Sequence, residues 1–123
     1  MKDKLYFENV IGVGNLYLEY VFLEYEKEPV FFTCIDECGQ MYICLCAEIR
    51  GEQRWIITKC NIQRMRAIIN GTIDMFSVFE VHENLFLIER NIEGIERSRI
   101  EPFTDIDPLD LPVKGMMLSC IPA

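Results

Sequence analysis

Between Leu16 and Lys59 the chain runs through four segments rich in aromatic and β-branched residues, separated by short polar breaks. The first, Leu16 to Tyr25, reads LYLEYVFLEY, and only two glutamates interrupt it. Residues of this kind favour the pleated, half-buried surface of a sheet. Glu26-Lys27-Glu28-Pro29 is a polar break ending in proline, suited to a hairpin connection. The second segment, Val30 to Ile35, leads into Asp36-Glu37-Cys38-Gly39, whose glycine can take the positive φ of a tight turn. The third, Gln40 to Ala47, is followed by Arg50-Gly51-Glu52 and then by the fourth, Arg54 to Lys59. Strands in succession with connections this short form an antiparallel meander.

A hairpin turning about Cys38-Gly39 would set Asp36 opposite Met41 and Cys34 opposite Ile43. Tyr42, Cys44 and Cys46 would then share a face with Ile35, Thr33 and Phe31. Both faces of this hairpin are mostly apolar, as in a central strand pair covered on each side or a sheet curling into a barrel.

Beyond the fourth strand the period changes. Asn61 reads as an N-cap, and Ile62, Met65, Ile68 and Ile69 recur on one side of a helix. Asn70-Gly71 is a helix stop, because glycine readily takes the left-handed conformation. Thr72 then caps a second short helix, with Asp74 in its first turn and Ile73, Phe76 and Phe79 facing inward. Leu85 to Glu89 reads as a further strand and Ser98 to Glu101 as a shorter one. The expected fold is α+β. It has a strongly curved antiparallel sheet of about five or six strands, a meander able to approach a barrel, with two short helices on one face. The domain spans residues 1–101. Pro102, Pro108, Pro112 and Pro122 rule out long elements in the extended Pro/Asp-rich segment 102–123, which packs on the domain or on a partner.

The order of these elements resembles that of a family of small bacterial proteins. The likeness rests on Pro29-Val30-Phe31-Phe32 with Asp36, on Gly39-Gln40 before Tyr42, on the capped helix with Asn70-Gly71-Thr72-Ile73, and on the late Leu111-Pro112, Gly115 and Leu118. That family carries no assigned activity, so the resemblance implies an architecture and no catalytic residues.

The net charge of −8 repels phosphate backbones and argues against direct nucleic-acid binding. Solubility is the usual reason for such a charge, and it would also suit docking onto a basic or nucleic-acid-binding protein. No apolar run reaches the roughly 18 residues that cross a bilayer, and no signal peptide is legible, so a cytoplasmic protein is expected. Of the six cysteines, Cys34, Cys38, Cys44, Cys46, Cys60 and Cys120, four (Cys34, Cys44, Cys46 and Cys60) lie in apolar strand-like runs. Free thiols in a reducing compartment are expected rather than disulfides. In the register above, Cys34 and Cys44 face opposite sides of the sheet and cannot converge on zinc, so no metal is expected.

Nucleophilic catalysis needs a base near neutral pKa beside the nucleophile, and the one histidine, His82, lies in a polar stretch with no such signature. No motif calls for a cofactor, and Gly12-Val13-Gly14 lacks the continuation of a phosphate loop. Trp55, flanked by isoleucines, reads as core. The expected function is therefore a non-catalytic acidic binding protein that occupies a protein partner, of the immunity or anti-defence inhibitor type. Its contact surface would be Asp105, Asp107, Leu109, Asp110 and Leu111. The alternative is a module holding a small anion, such as a signalling nucleotide, between Arg50, Arg54, Arg64 and Arg66. An enzyme with an unfamiliar carboxylate or thiol site ranks third. A homodimer by sheet extension remains compatible with an exposed edge strand.

Overall fold

Among the described residues, seven strands follow one another around a single antiparallel sheet, each paired with its neighbours in sequence. The structure, a computed structural model, describes residues 4–48 and 51–118. The strands are β1 (Leu5–Val10), β2 (Gly14–Tyr25), β3 (Glu28–Asp36), β4 (Met41–Glu48), β5 (Gln53–Cys60), β6 (Asn84–Arg90) and β7 (Glu96–Pro102). Helices α1 (Ile62–Ile69) and α2 (Ser77–Glu80) lie between β5 and β6, and the 3-10 turns Phe103–Asp105 and Pro108–Asp110 follow β7.

The meander is strongly curved and nearly barrel-shaped, as the two-faced apolar pattern predicts. Its curvature can be read from one pair of rings. Phe7 of β1 and Trp55 of β5 meet edge-on with centroids 5.1 Å apart. In a flat sheet, strands four places apart would be separated by about 19 Å. The sheet therefore wraps around an inner core that includes Phe7, Leu16, Phe32, Cys34, Cys44, Trp55, Ile57 and Ile88. The outer face carries Phe31, Ile43, Ile56 and Leu87, which α1 and α2 cover with Met65, Ile68, Val78 and Phe79.

β1 is the strand that sequence patterning leaves out. Its ladder to β2 shifts register twice, and Asn9 adopts a φ of 51°. Only Phe7 and Val10 of this strand are buried, so no alternation marks it.

The β3–β4 hairpin differs from the expected register by one residue. Cys34 pairs with Tyr42, and Thr33 with Ile43. The Asp36 carboxylate sets this register, accepting from the backbone N–H groups of Cys38 and Gln40, each at 2.9 Å. With the Asp36 N–H donating to the Gln40 carbonyl at 3.0 Å, these bonds close a three-residue loop of Glu37 to Gly39, one residue longer than a two-residue turn about Cys38-Gly39. A one-residue slip moves every side chain to the opposite face. Tyr42, Cys44 and Cys46 therefore share the inner core with Phe32 and Cys34, correcting the expectation that Cys34 and Cys44 face apart.

Asn61 caps α1 as its side chain suggests, accepting from the N–H of Arg64 at 2.8 Å. Gly71 ends it with a φ of 74°. Met65 and Ile68 are buried, whereas Ile62 and Ile69 stay exposed. The second helix begins later than expected and is organised by Asp74, not Thr72. Asp74 accepts from the backbone N–H of Ser77 at 2.8 Å and from its hydroxyl.

Candidate functional site

The C-terminal segment lies against its own domain. Ile106 is buried, and Phe103, Leu111 and Leu118 pack on the outer core. Two backbone ties hold its far end near α2. The N–H of Gly115 donates to Asp74 at 2.6 Å, and the N–H of Met75 donates to the carbonyl of Met116 at 3.0 Å. Hydrogen bonds from the Ser77 hydroxyl and then from the Gly115 N–H hold the Asp74 carboxyl below the usual carboxylate range.

The five tail residues singled out from sequence divide into anchors and exposed groups. Asp110 forms an ion pair with Arg54 at 2.8 Å, and Leu111 is half-buried. Asp107 accepts from the N–H of Leu109 and so caps the second 3-10 turn. Asp105 is exposed, and Leu109 is 91 % exposed, a large apolar side chain standing nearly clear of the domain.

The proposed arginine set is not gathered into one pocket. Arg50 lies outside the described residues. Arg54 belongs with Asp110, whose hydrogen bond raises the guanidinium pKa above its ordinary value, and with Glu48 and Glu89. Arg64 sits on α1 beside Lys59, Cys60 and His82, and Arg66 is exposed on the same helix. The length of β5 separates the two groups, about 20 Å from Arg54 to Cys60.

A different trio borders a small cleft of about 250 Å³, namely Arg54, Arg90 and Arg97. Arg90 is already committed. Its guanidinium bonds Glu96 at 2.6 Å and lies 4.8 Å from the centre of the Trp55 ring. Glu52 and Glu89 share this cleft, so its charge is mixed.

His82 is half-buried, and that burial lowers its pKa, partly countered by a hydrogen bond to the backbone of Lys59. Burial raises the thiol pKa of Cys44, Cys46 and Cys60, which keeps those thiols protonated at neutral pH. Cys120 lies outside the described residues. Among the described residues, no three histidine, cysteine or acidic side chains are grouped to hold a metal ion. No helix among them is long and apolar enough to cross a membrane.

One further feature was hidden in the sequence because it depends on closure of the sheet. β1 and β7, the two ends of the meander, approach each other without forming a ladder. The N–H of Ile11 donates to Ser98 Oγ at 2.9 Å and pins the seam at one point. Below this pin is a cleft of about 490 Å³ between Leu5, Tyr6, Glu8 and Asn9 on one wall and Gly94, Glu96, Arg97 and Ser98 on the other.

Comparison of the chain with models of known protein families, with curated proteins and with solved structures finds no match.

Proposed function

We propose that this chain is a non-catalytic acidic binding protein that acts by occupying a protein partner, with the tail as its contact surface. The observation that carries this reading is the exposure of Leu109 on a segment tied down at both ends. An exposed apolar side chain on a rigid backbone loses little conformational entropy on docking, which is how interface anchors gain affinity. Asp105 and Asp107 flank it, and their charge favours a basic partner surface around an apolar socket. Asp110 and Leu111 act differently: they hold the tail in place and leave the outward contact to their neighbours.

The test is affinity capture from host lysate with the intact protein, compared with Leu109→Ala and with Asp105→Asn. Both variants should retain the melting temperature, since neither side chain holds the fold. Leu109→Ala should deplete a stoichiometric basic partner at least tenfold, and Asp105→Asn should weaken capture chiefly at low salt. Undiminished capture by both variants would remove the tail from the interface.

A further inference from the structure

The seam between β1 and β7 has a polarity that follows from counting strands. Every pairing in the sheet is antiparallel, so strand direction alternates and the first and seventh strands run the same way. Direct closure would need a parallel pair. One inserted strand opposed to both edges would instead complete an all-antiparallel barrel of the up-and-down kind.

Hydrogen-bond parity shows which groups await such a strand. The N–H of Phe103 donates to Glu83 and that of Asn91 to Ile95, so these pairs are hydrogen-bonded pairs of the β6–β7 ladder or of its extension. In an antiparallel pair such positions alternate with ones whose backbone groups point away. Arg97, Arg99 and Glu101 therefore bond inward to β6, while Glu96 and Ser98 direct their N–H and C=O groups to the free edge. Both border the cleft. The edge is interrupted at Pro102, which has no N–H to offer.

The rims add a charge pattern. Arg97 on the β7 wall and Glu8 on the β1 wall are exposed, and neither forms an ion pair with a described residue. Arg97 lies one residue before the pin at Ser98. Glu8 lies three residues before Ile11, farther toward the open end.

We propose that this seam receives one extended segment of a partner protein, about five residues long, running antiparallel to β1 and β7. Its alternate apolar side chains turn toward the inner core. The segment enters with its N-terminal end at the Ser98 pin, so an acidic residue there meets Arg97 and a basic residue toward its C-terminal end meets Glu8. Affinity comes from backbone bonds to Glu96 and Ser98, and direction is read by the two rim charges. This site is separate from the tail surface and stands whether or not Leu109 docks a partner.

The probe is the capped peptide Glu-Val-Thr-Val-Lys, added to the intact protein and followed by amide hydrogen exchange and by titration. In the free protein, the amides of Arg97 and Arg99 should exchange slowly and those of Glu96 and Ser98 quickly. The peptide should slow the latter two, and the charge-exchanged peptide Lys-Val-Thr-Val-Glu should bind about fivefold more weakly. Ser98→Pro removes an N–H that the β6 ladder does not use, and it should abolish uptake. Ser98→Ala keeps that N–H, loses only the pin, and should bind as well as the parent. If Ser98→Pro fails to fold, a peptide N-methylated at its valines replaces it and should not bind. Equal protection of Glu96, Arg97, Ser98 and Arg99 in the free protein would mean that the seam is already closed, and would overturn the proposal. So would loss of uptake by both Ser98 variants, binding that leaves Glu96 and Ser98 unprotected, or a seam protected only by self-association.

Discussion

Replacing Asp36 with alanine should destabilise the fold by about 3 kcal/mol, although the residue lies at the end of a hairpin. Its carboxylate accepts from the N–H of Cys38 and of Gln40, each at 2.9 Å, and from the hydroxyl of Tyr42 at 3.2 Å. The three donors differ in what they can do once it is gone. Cys38 is exposed and its N–H can turn to water, and Gln40 is half-exposed. Tyr42 is 2 % exposed, so its hydroxyl would be stranded in the core. A stranded buried donor costs about 1–3 kcal/mol, and weakening the turn adds about 1 kcal/mol more. Asp36→Asn keeps an oxygen acceptor and should cost about half as much. Tyr42→Phe removes the stranded group, so the double mutant should be less destabilised than the sum of the singles by about 1 kcal/mol. Urea unfolding of the four proteins measures the cycle. A cost below about 1 kcal/mol for Asp36→Ala, or strict additivity with Tyr42→Phe, would refute the claim that this carboxylate holds the hairpin register.

Gly12→Ala should cost about 2 kcal/mol in chemical denaturation, since its φ is 79° and a Cβ would stand 3.1 Å from Phe86 and 3.2 Å from Ile100. Gly14→Ala, with a φ of 91° but open space around it, should cost about half of that. Thr58→Val should raise stability by about 1 kcal/mol, because the buried Thr58 hydroxyl has no hydrogen-bond partner and valine keeps its shape. Burial pushes the Tyr6 and Tyr42 hydroxyls up to about 12. The folded state therefore holds these two protons more tightly than the unfolded chain. Their contribution is intact below about pH 10 and is lost as pH rises toward 12, so thermal stability should fall across that window. The fall should be shallower in Tyr42→Phe.

Much of this architecture is legible in the chain because its elements are local. The runs Val30 to Ile35 and Gln40 to Ala47 show apolar character on both faces, and both faces are indeed covered. The Asn61 cap and the Gly71 stop lie within a few residues of the helix that they bound. What escaped depended on distant partners or on one side chain choosing between two turns. β1 shifts register against β2 twice and carries an exposed glutamate, and its Phe7 is buried against Trp55 of a strand four places away in the sheet. The hairpin register turned on whether Asp36 faced solvent or capped its own loop. The acidic tail residues were visible as composition, but not their division. Whether Asp110 meets a partner or Arg54 depends on a contact between residues 56 positions apart.

That division bears on how an acidic tail can be ordered without being neutralised. The outer face of the sheet presents Phe31, Ile43 and Ile56, which need a cover wider than the two short helices supply. The tail contributes Ile106, Phe103, Leu111 and Leu118 to that cover, so its apolar positions are spent on folding. Its acids are then sorted by where the backbone ends up. Asp110 meets a cation, Asp107 caps a turn, and Asp105 is left at the surface. Leu109, 91 % exposed, and Val113, 67 % exposed, are tail residues whose apolar side chains do not join that cover. Under the docking role proposed for Leu109, Leu109→Ala should alter capture and leave the melting temperature in place, so the variant separates docking from folding.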